Sequence, residues 1–190
     1  MESAILAILP PGAYTAVLSG VNGRTGVGLV EVFEVDGGSN PSKLVNVSSR
    51  AVVQSQDAPM IGGVILASPT SKTFLIRGRG PSMSGAPFHV TGTLSNPYLQ
   101  LYSGSTLIAQ NDNWQDSSQC DSRFDCGDAA QIKTTSLDPC QPNPGQSTAP
   151  SGCGHEAAFL ITLPPGAYTA ILRGVGGDTG VALVEIFDLS

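Results

Sequence analysis

The densest group of side chains with chemical potential is Asn111-Asp112-Asn113-Trp114-Gln115-Asp116. Oxygen ligands at alternate positions of a turn suit a hard cation such as Ca²⁺, which takes about six to eight oxygens at about 2.3–2.6 Å. Asp112, Asn113 and Asp116 are the candidate ligands, and Asp121, Asp125 and Asp128 are close enough in sequence to add carboxylates. The stretch is not an EF-hand loop, because the glycine in mid-loop and the terminal glutamate are missing. The competing reading is an Asx turn at a hairpin exit. Trp114, the only tryptophan, is the natural ring for stacking a sugar, with Tyr98 and Tyr102 beside it. An aromatic face accepts the apolar face of a sugar ring, although such a ring also packs well in a core or at a sheet edge.

Catalysis finds less support. His89 and His155 are the only imidazoles, and no G-x-S-x-G elbow accompanies the many serines. Ser82-Met83-Ser84-Gly85 ahead of His89 lacks the strand–turn–helix context of a nucleophile. Glu31 and Glu185 fall on strand-like runs, which favours a structural role over paired carboxylate chemistry. Arg77 and Arg79 straddle Gly78 and share one polar face of a strand. No catalytic residue is assigned, and the chain is read as a non-enzyme.

Four cysteines, Cys120, Cys126, Cys140 and Cys153, all fall in one polar stretch rich in Gly, Pro and Ser. That pattern fits two disulfides in an oxidising compartment. Three connectivities exist. The local one, Cys120–Cys126 with Cys140–Cys153, is preferred because small loops close at little entropic cost. A zinc site would want close cysteine pairs, and there is no C-x-x-C.

These groups must be carried by short strands. Only 13% of residues are charged while Gly (23) and Pro (14) are plentiful, which suits strands and tight turns rather than helices. The net charge of −6 disfavours nucleic acid and anionic membranes. No apolar run approaches the about 18 residues of a membrane span. Alternating runs place strands at 44–54, 60–67, 73–79, 98–102, 106–110, 157–163, 167–175 and 181–189, with a helical turn only within 128–136. The expected fold is all-β, an antiparallel β-sandwich.

One segment is written twice. Residues 2–36 match 156–190 without a gap, identical at 22 of 35 positions, including Leu-Pro-Pro-Gly-Ala-Tyr-Thr-Ala at 9–16 and 163–170. Such self-similarity marks tandem units. The chain therefore divides into 1–36, the three-stranded tail of a preceding repeat; 37–42, a Gly/Ser/Asn/Pro linker; and 43–190, a complete sandwich with a cysteine-bearing insertion at 117–154. Three strands alone cannot bury both faces. The tail would pack on its own domain, pair with a neighbouring copy, or belong to a front part outside this chain.

The motifs Lys43-Leu44-Val45-Asn46-Val47-Ser48-Ser49-Arg50, Ile61-Gly62-Gly63-Val64-Ile65, Phe74-Leu75-Ile76-Arg77-Gly78-Arg79-Gly80-Pro81-Ser82, Asn111 to Asp116 and the closing Leu-Pro-Pro-Gly-Ala-Tyr-Thr-Ala resemble an uncharacterised family of β-rich modules in secreted bacterial proteins. From Tyr98 onward the chain also resembles, more loosely, bacterial pre-peptidase C-terminal domains, which accompany secreted hydrolases and adhesins and in some cases bind calcium or carbohydrate. The resemblance implies a secreted or cell-surface location, although no signal peptide opens the chain; Met1 is expected to be an added start, or the targeting segment removed. A cytosolic protein with reduced thiols is the alternative. The expected function is a non-catalytic structural or adhesive repeat module. Its partners would be other repeats or copies of itself through strand pairing, with Ca²⁺ as the one candidate cofactor. The alternative is a polysaccharide- or calcium-binding accessory module of a secreted hydrolase.

Overall fold

A computed structural model describes residues 3–35, 43–54 and 58–190. The chain forms two units, Met1–Leu44 and Val45–Ser190. The expected linker at 37–42 lies outside the described residues.

The second unit is an antiparallel sandwich of ten strands: β1 (Asn46–Val53), β2 (Met60–Leu66), β3 (Lys72–Arg79), β4 (Pro97–Ser103), β5 (Thr106–Asn111), β6 (Gln119–Cys120), β7 (Asp125–Gly127), β8 (Ala157–Leu163), β9 (Gly166–Gly174) and β10 (Gly180–Asp188). One sheet runs β1-β10-β3-β8-β7 and the other β2-β9-β4-β5-β6. The fold class and the eight longer strands agree with the sequence reading to within a residue or two at each end.

The core follows from alternation. Phe74 and Ile76 of β3, Phe159 and Ile161 of β8, and Val184 of β10 face Leu99 and Leu101 of β4 and Leu172 of β9 across the sandwich. Gly78 belongs to this inner face. A Cβ built there would sit 2.4 Å from Leu172 Cδ1, so glycine is what lets the leucine pack against β3. The Arg77-Gly78-Arg79 run thus has a small residue facing inward between two cations facing outward.

The closing three strands are divided between the sheets. β8 and β10 flank β3 on either side, in register Ile76↔Phe159 and Ile76↔Ile186. β9 lies opposite them, between β2 and β4, with Ile61↔Ile171 and Leu99↔Leu172. None of the three pairs with another, so all of their ladder partners come from β1–β7.

This explains the N-terminal unit. The three strands expected within residues 3–35 do not form: these residues make no ladder, because the strands they copy bond only to partners that the copy does not include. Local geometry is nevertheless reproduced. The Tyr14 hydroxyl donates to the Pro10 carbonyl at 2.7 Å, as Tyr168 does to Pro164 at 2.7 Å. The 3₁₀ turn at Val21–Gly23 has Asn22 at φ 57, ψ 33, and its counterpart at Val175–Gly177 has Gly176 at φ 66, ψ 14. Asparagine is among the few non-glycine residues that accept this left-handed conformation readily. What differs is burial: Ile5 is 92% exposed where Phe159 is 0%, and Leu18 56% where Leu172 is 0%.

Candidate functional site

Three places gather polar groups: the outer face of β3, the loop after β5, and the outer face of the sheet containing β4.

On the first, Leu75, Arg77 and Arg79 point away from the core and are covered by the cysteine-bearing insertion. Its helix α1 (Ala129–Thr134) begins with an Asp128 capping box: the Asp128 carboxylate accepts from Gln131 N at 2.8 Å while the Gln131 side chain accepts from Asp128 N at 2.9 Å. Ile132 from this helix packs with Leu75, Trp114 and Ala158 in a second apolar cluster. Beneath the cover, Arg77 bonds Glu185 of β10 through Nε at 2.9 Å and Nη2 at 2.6 Å, donates to the Leu137 carbonyl, and lies 4.8 Å from the Phe187 ring centroid. Burial pushes the Arg77 guanidinium down from its ordinary value, and Glu185 opposes that shift. Arg79 donates to the Ser82 hydroxyl at 3.1 and 2.9 Å and approaches Glu185 at 4.0 Å. Glu156, 0% exposed, accepts from Gly80 N at 2.6 Å and Ser82 N at 2.7 Å. Burial raises its carboxyl pKa, against the lowering effect of those hydrogen bonds and of Arg79.

Every charge in this seam has a partner in the fold, so its chemistry is cohesion. Each carboxylate comes from the closing segment, and each of its partners among the guanidinium and main-chain N–H groups comes from the front strands or the turn after β3. The sequence placed Arg77 and Arg79 on a polar face, and they are on one. That the insertion buries it was not readable, since covering depends on contacts distant in sequence.

The loop after β5 corrects one expectation. Trp114 is 1% exposed; its ring nitrogen donates to the Cys153 carbonyl at 3.0 Å and its main-chain N–H to Glu156 O at 2.8 Å. The ring belongs to the second apolar cluster and presents no face to a sugar. Around it, the Asn111 amide donates to the carbonyls of Asn113 (3.1 Å) and Asp116 (3.4 Å), and Asp116 N donates to Asn113 O at 2.9 Å. N–H donors thus occupy the interior of the turn. Asp112 and Asn113 are half-buried and Asp116 is exposed. Among the described residues no group of three or more His, Cys, Asp or Glu side chains is placed to hold a metal.

Tyr98 and Tyr102 share the outer face of β4 but stand four residues apart, about 13 Å along the strand, with Gln100 between them. A directed hydrogen-bond row crosses four strands there: Arg173 Nη1 to Gln100 Oε1 (2.7 Å), Gln100 Nε2 to Tyr98 Oη (3.5 Å), Tyr98 Oη to Gln110 Oε1, and Gln110 Nε2 to Gln119 Oε1. Partial burial raises the Tyr98 pKa. Gln100, Gln110, Gln119 and Arg173 went unnoticed in the sequence; the only hint was their alternation with core residues.

Both disulfides have the local pairing preferred from the sequence. Cys140–Cys153 ties the cover over Arg77 to the segment leading into β8. Cys120–Cys126 joins β6 to β7, and these strands edge opposite sheets, so this bond clips the sandwich along one side.

Compared with family models, with curated proteins and with solved structures, the chain matches none. No helix among the described residues is long and apolar enough to cross a membrane.

Proposed function

We propose that this chain is a non-catalytic, extracellular structural or adhesive module, one slice of a longer array of like units. The duplicated closing segment carries the reading: a unit whose last three strands recur ahead of it in the same chain is built to be set in series. Both disulfides and the fully partnered seam around Arg77 suit a scaffold that keeps its shape outside the cell. The motif resemblance to secreted bacterial modules points the same way. Fractionation of the producing cells tests this: the chain should be recovered from the medium or cell surface with no free thiol, and recovery from the cytosol with reduced cysteines overturns it.

A second reading, a polysaccharide-binding module, is favoured by the hydrogen-bonded row of Arg173, Gln100, Tyr98 and Gln110, with Tyr102 on the same face of β4. Phenol rings beside amide and guanidinium groups on a flat sheet supply both the stacking and the hydrogen bonds that sugars use. Binding to insoluble polysaccharides, lost in Tyr98→Ala and Tyr102→Ala but kept in Asp116→Ala, is the expected signature; binding indifferent to both tyrosines discards it.

A further inference from the structure

We propose that residues 2–35 are a donor segment that closes the sandwich of a second copy of this chain, taking the slot between β1, β3, β7, β2 and β4 that residues 156–189 otherwise fill. This deepens the reading of the chain as a module in series, and names the partner.

Three observations converge. The N-terminal copy already has the tyrosine–proline bond and the left-handed turn of the closing segment, so docking would not require either to be rebuilt. Its core-facing side chains, Ile5, Tyr14 and Leu18, are exposed at 92, 55 and 56%, whereas Phe159, Tyr168 and Leu172 at the matching positions are exposed at 0, 5 and 0%. Most specific is the charge. The copy retains glutamate at both positions whose carboxylates the front strands receive: Glu31 stands for Glu185, the partner of Arg77, and Glu2 for Glu156, the acceptor of Gly80 N and Ser82 N. Solvent sets no requirement for an acid at either of those places, whereas the slot does. Leaving Arg77 buried without a carboxylate would be costly, so the slot rejects strands that lack the acid.

The copy is imperfect, and this decides which segment holds the slot. Arg24 replaces Asp178, which accepts from the Ser95 hydroxyl at 2.5 Å and Ser95 N at 2.8 Å; Ser19 replaces Arg173, the donor to Gln100. Isoleucine at position 5 is also smaller than Phe159. The native closing segment therefore fits its own front strands better, and the donor wins where that segment is weakened or missing.

The test pairs the intact chain as donor with an acceptor of residues 43–190 carrying Leu172→Ala. The acceptor retains all ten strands and both disulfides of the second unit. The two are mixed, unfolded in urea with disulfides intact and refolded together, which removes any barrier to exchange. The wild-type donor supplies Leu18 where the acceptor lacks its leucine, and a 1:1 complex is expected by light scattering. A Leu18→Ala donor should bind at least tenfold more weakly. A Glu31→Gln donor should also lose affinity, which a purely apolar association would not show. Absence of a complex, or equal binding by the wild-type and Leu18→Ala donors, overturns the proposal. Because the assay is done in solution, a cytosolic location would defeat the extracellular reading and leave this inference standing.

Discussion

The Arg77–Glu185 pair has both side chains about nine-tenths buried and shares its space with Phe187 and the Leu137 carbonyl. Glu185→Leu is expected to destabilise the unit by about 3–5 kcal/mol, because a guanidinium is left buried without a counter-charge. Arg77→Leu combined with Glu185→Leu should recover much of that loss in urea unfolding; a double variant as weak as the single would mean that the carbonyl and ring contacts dominate. Glu156 carries the opposite sign of pH dependence from an ordinary paired acid. Its folded pKa lies above the unfolded value of about 4.3, so its stabilising contribution is whole below that pH and declines as pH rises through the folded value. Relative to Glu156→Gln, the wild type should lose stability as pH rises above about 4.3; parallel profiles for the two proteins would show that the two main-chain hydrogen bonds cancel the effect of burial. The turn at Asn111–Asp116 makes a third residue-level expectation. With the Asn111 amide engaging its carbonyls, the unfolding midpoint should be the same in Ca²⁺ and in chelator, and a rise with Ca²⁺ would mean that the turn opens to admit the ion.

At the scale of elements, strands of six residues or more were legible as apolar or alternating runs bounded by turn residues: Ala157–Leu163 is apolar at six of seven positions and stops at Pro164-Pro165, so its limits agree at both ends. β6 and β7 were not legible. Two- and three-residue strands within a polar, cysteine-bearing stretch have no periodicity to detect, and their place at the edges of opposite sheets is set by ladders to β5 and β8 rather than by any local pattern. The burial of Trp114 was hidden for a related reason, since its cover comes from Ile132 of α1, well downstream in sequence, and from the turn at Cys153. The insertion is therefore a structural lid rather than an ornament on the sandwich. Replacing Cys140 and Cys153 together by serine should cost about 3 kcal/mol, the chain-entropy value for a loop of this order. It should also expose residues 136–152 to proteolysis before the strands yield. Cleavage elsewhere first would show that the lid is held mainly by the cluster around Ile132 and Trp114.

For the molecule as a whole, self-similarity read from the sequence located the closing segment correctly, but not its condition in the N-terminal copy. Sequence alternation in 12–21 and 26–35 reports which side chains a sandwich would bury; it does not report whether the ladder partners are present. Because β8, β9 and β10 bond only to other strands, their copy keeps its turns and its tyrosine–proline bond while its apolar side chains stay exposed. Removal of residues 1–42 should therefore leave the urea midpoint and slope of the sandwich unchanged, since denaturant slope scales with the surface that unfolding exposes and the tail has little left to expose. The same deletion should sharply reduce binding of a hydrophobic dye and slow aggregation of the folded protein, because Ile5, Leu6, Ile8 and Val27 are among its most exposed apolar groups. A midpoint that falls on deletion would mean that the tail already contributes to closure. A dye signal that persists would place the sticky surface on the outer strands, where Ile61 and Ile65 are also exposed.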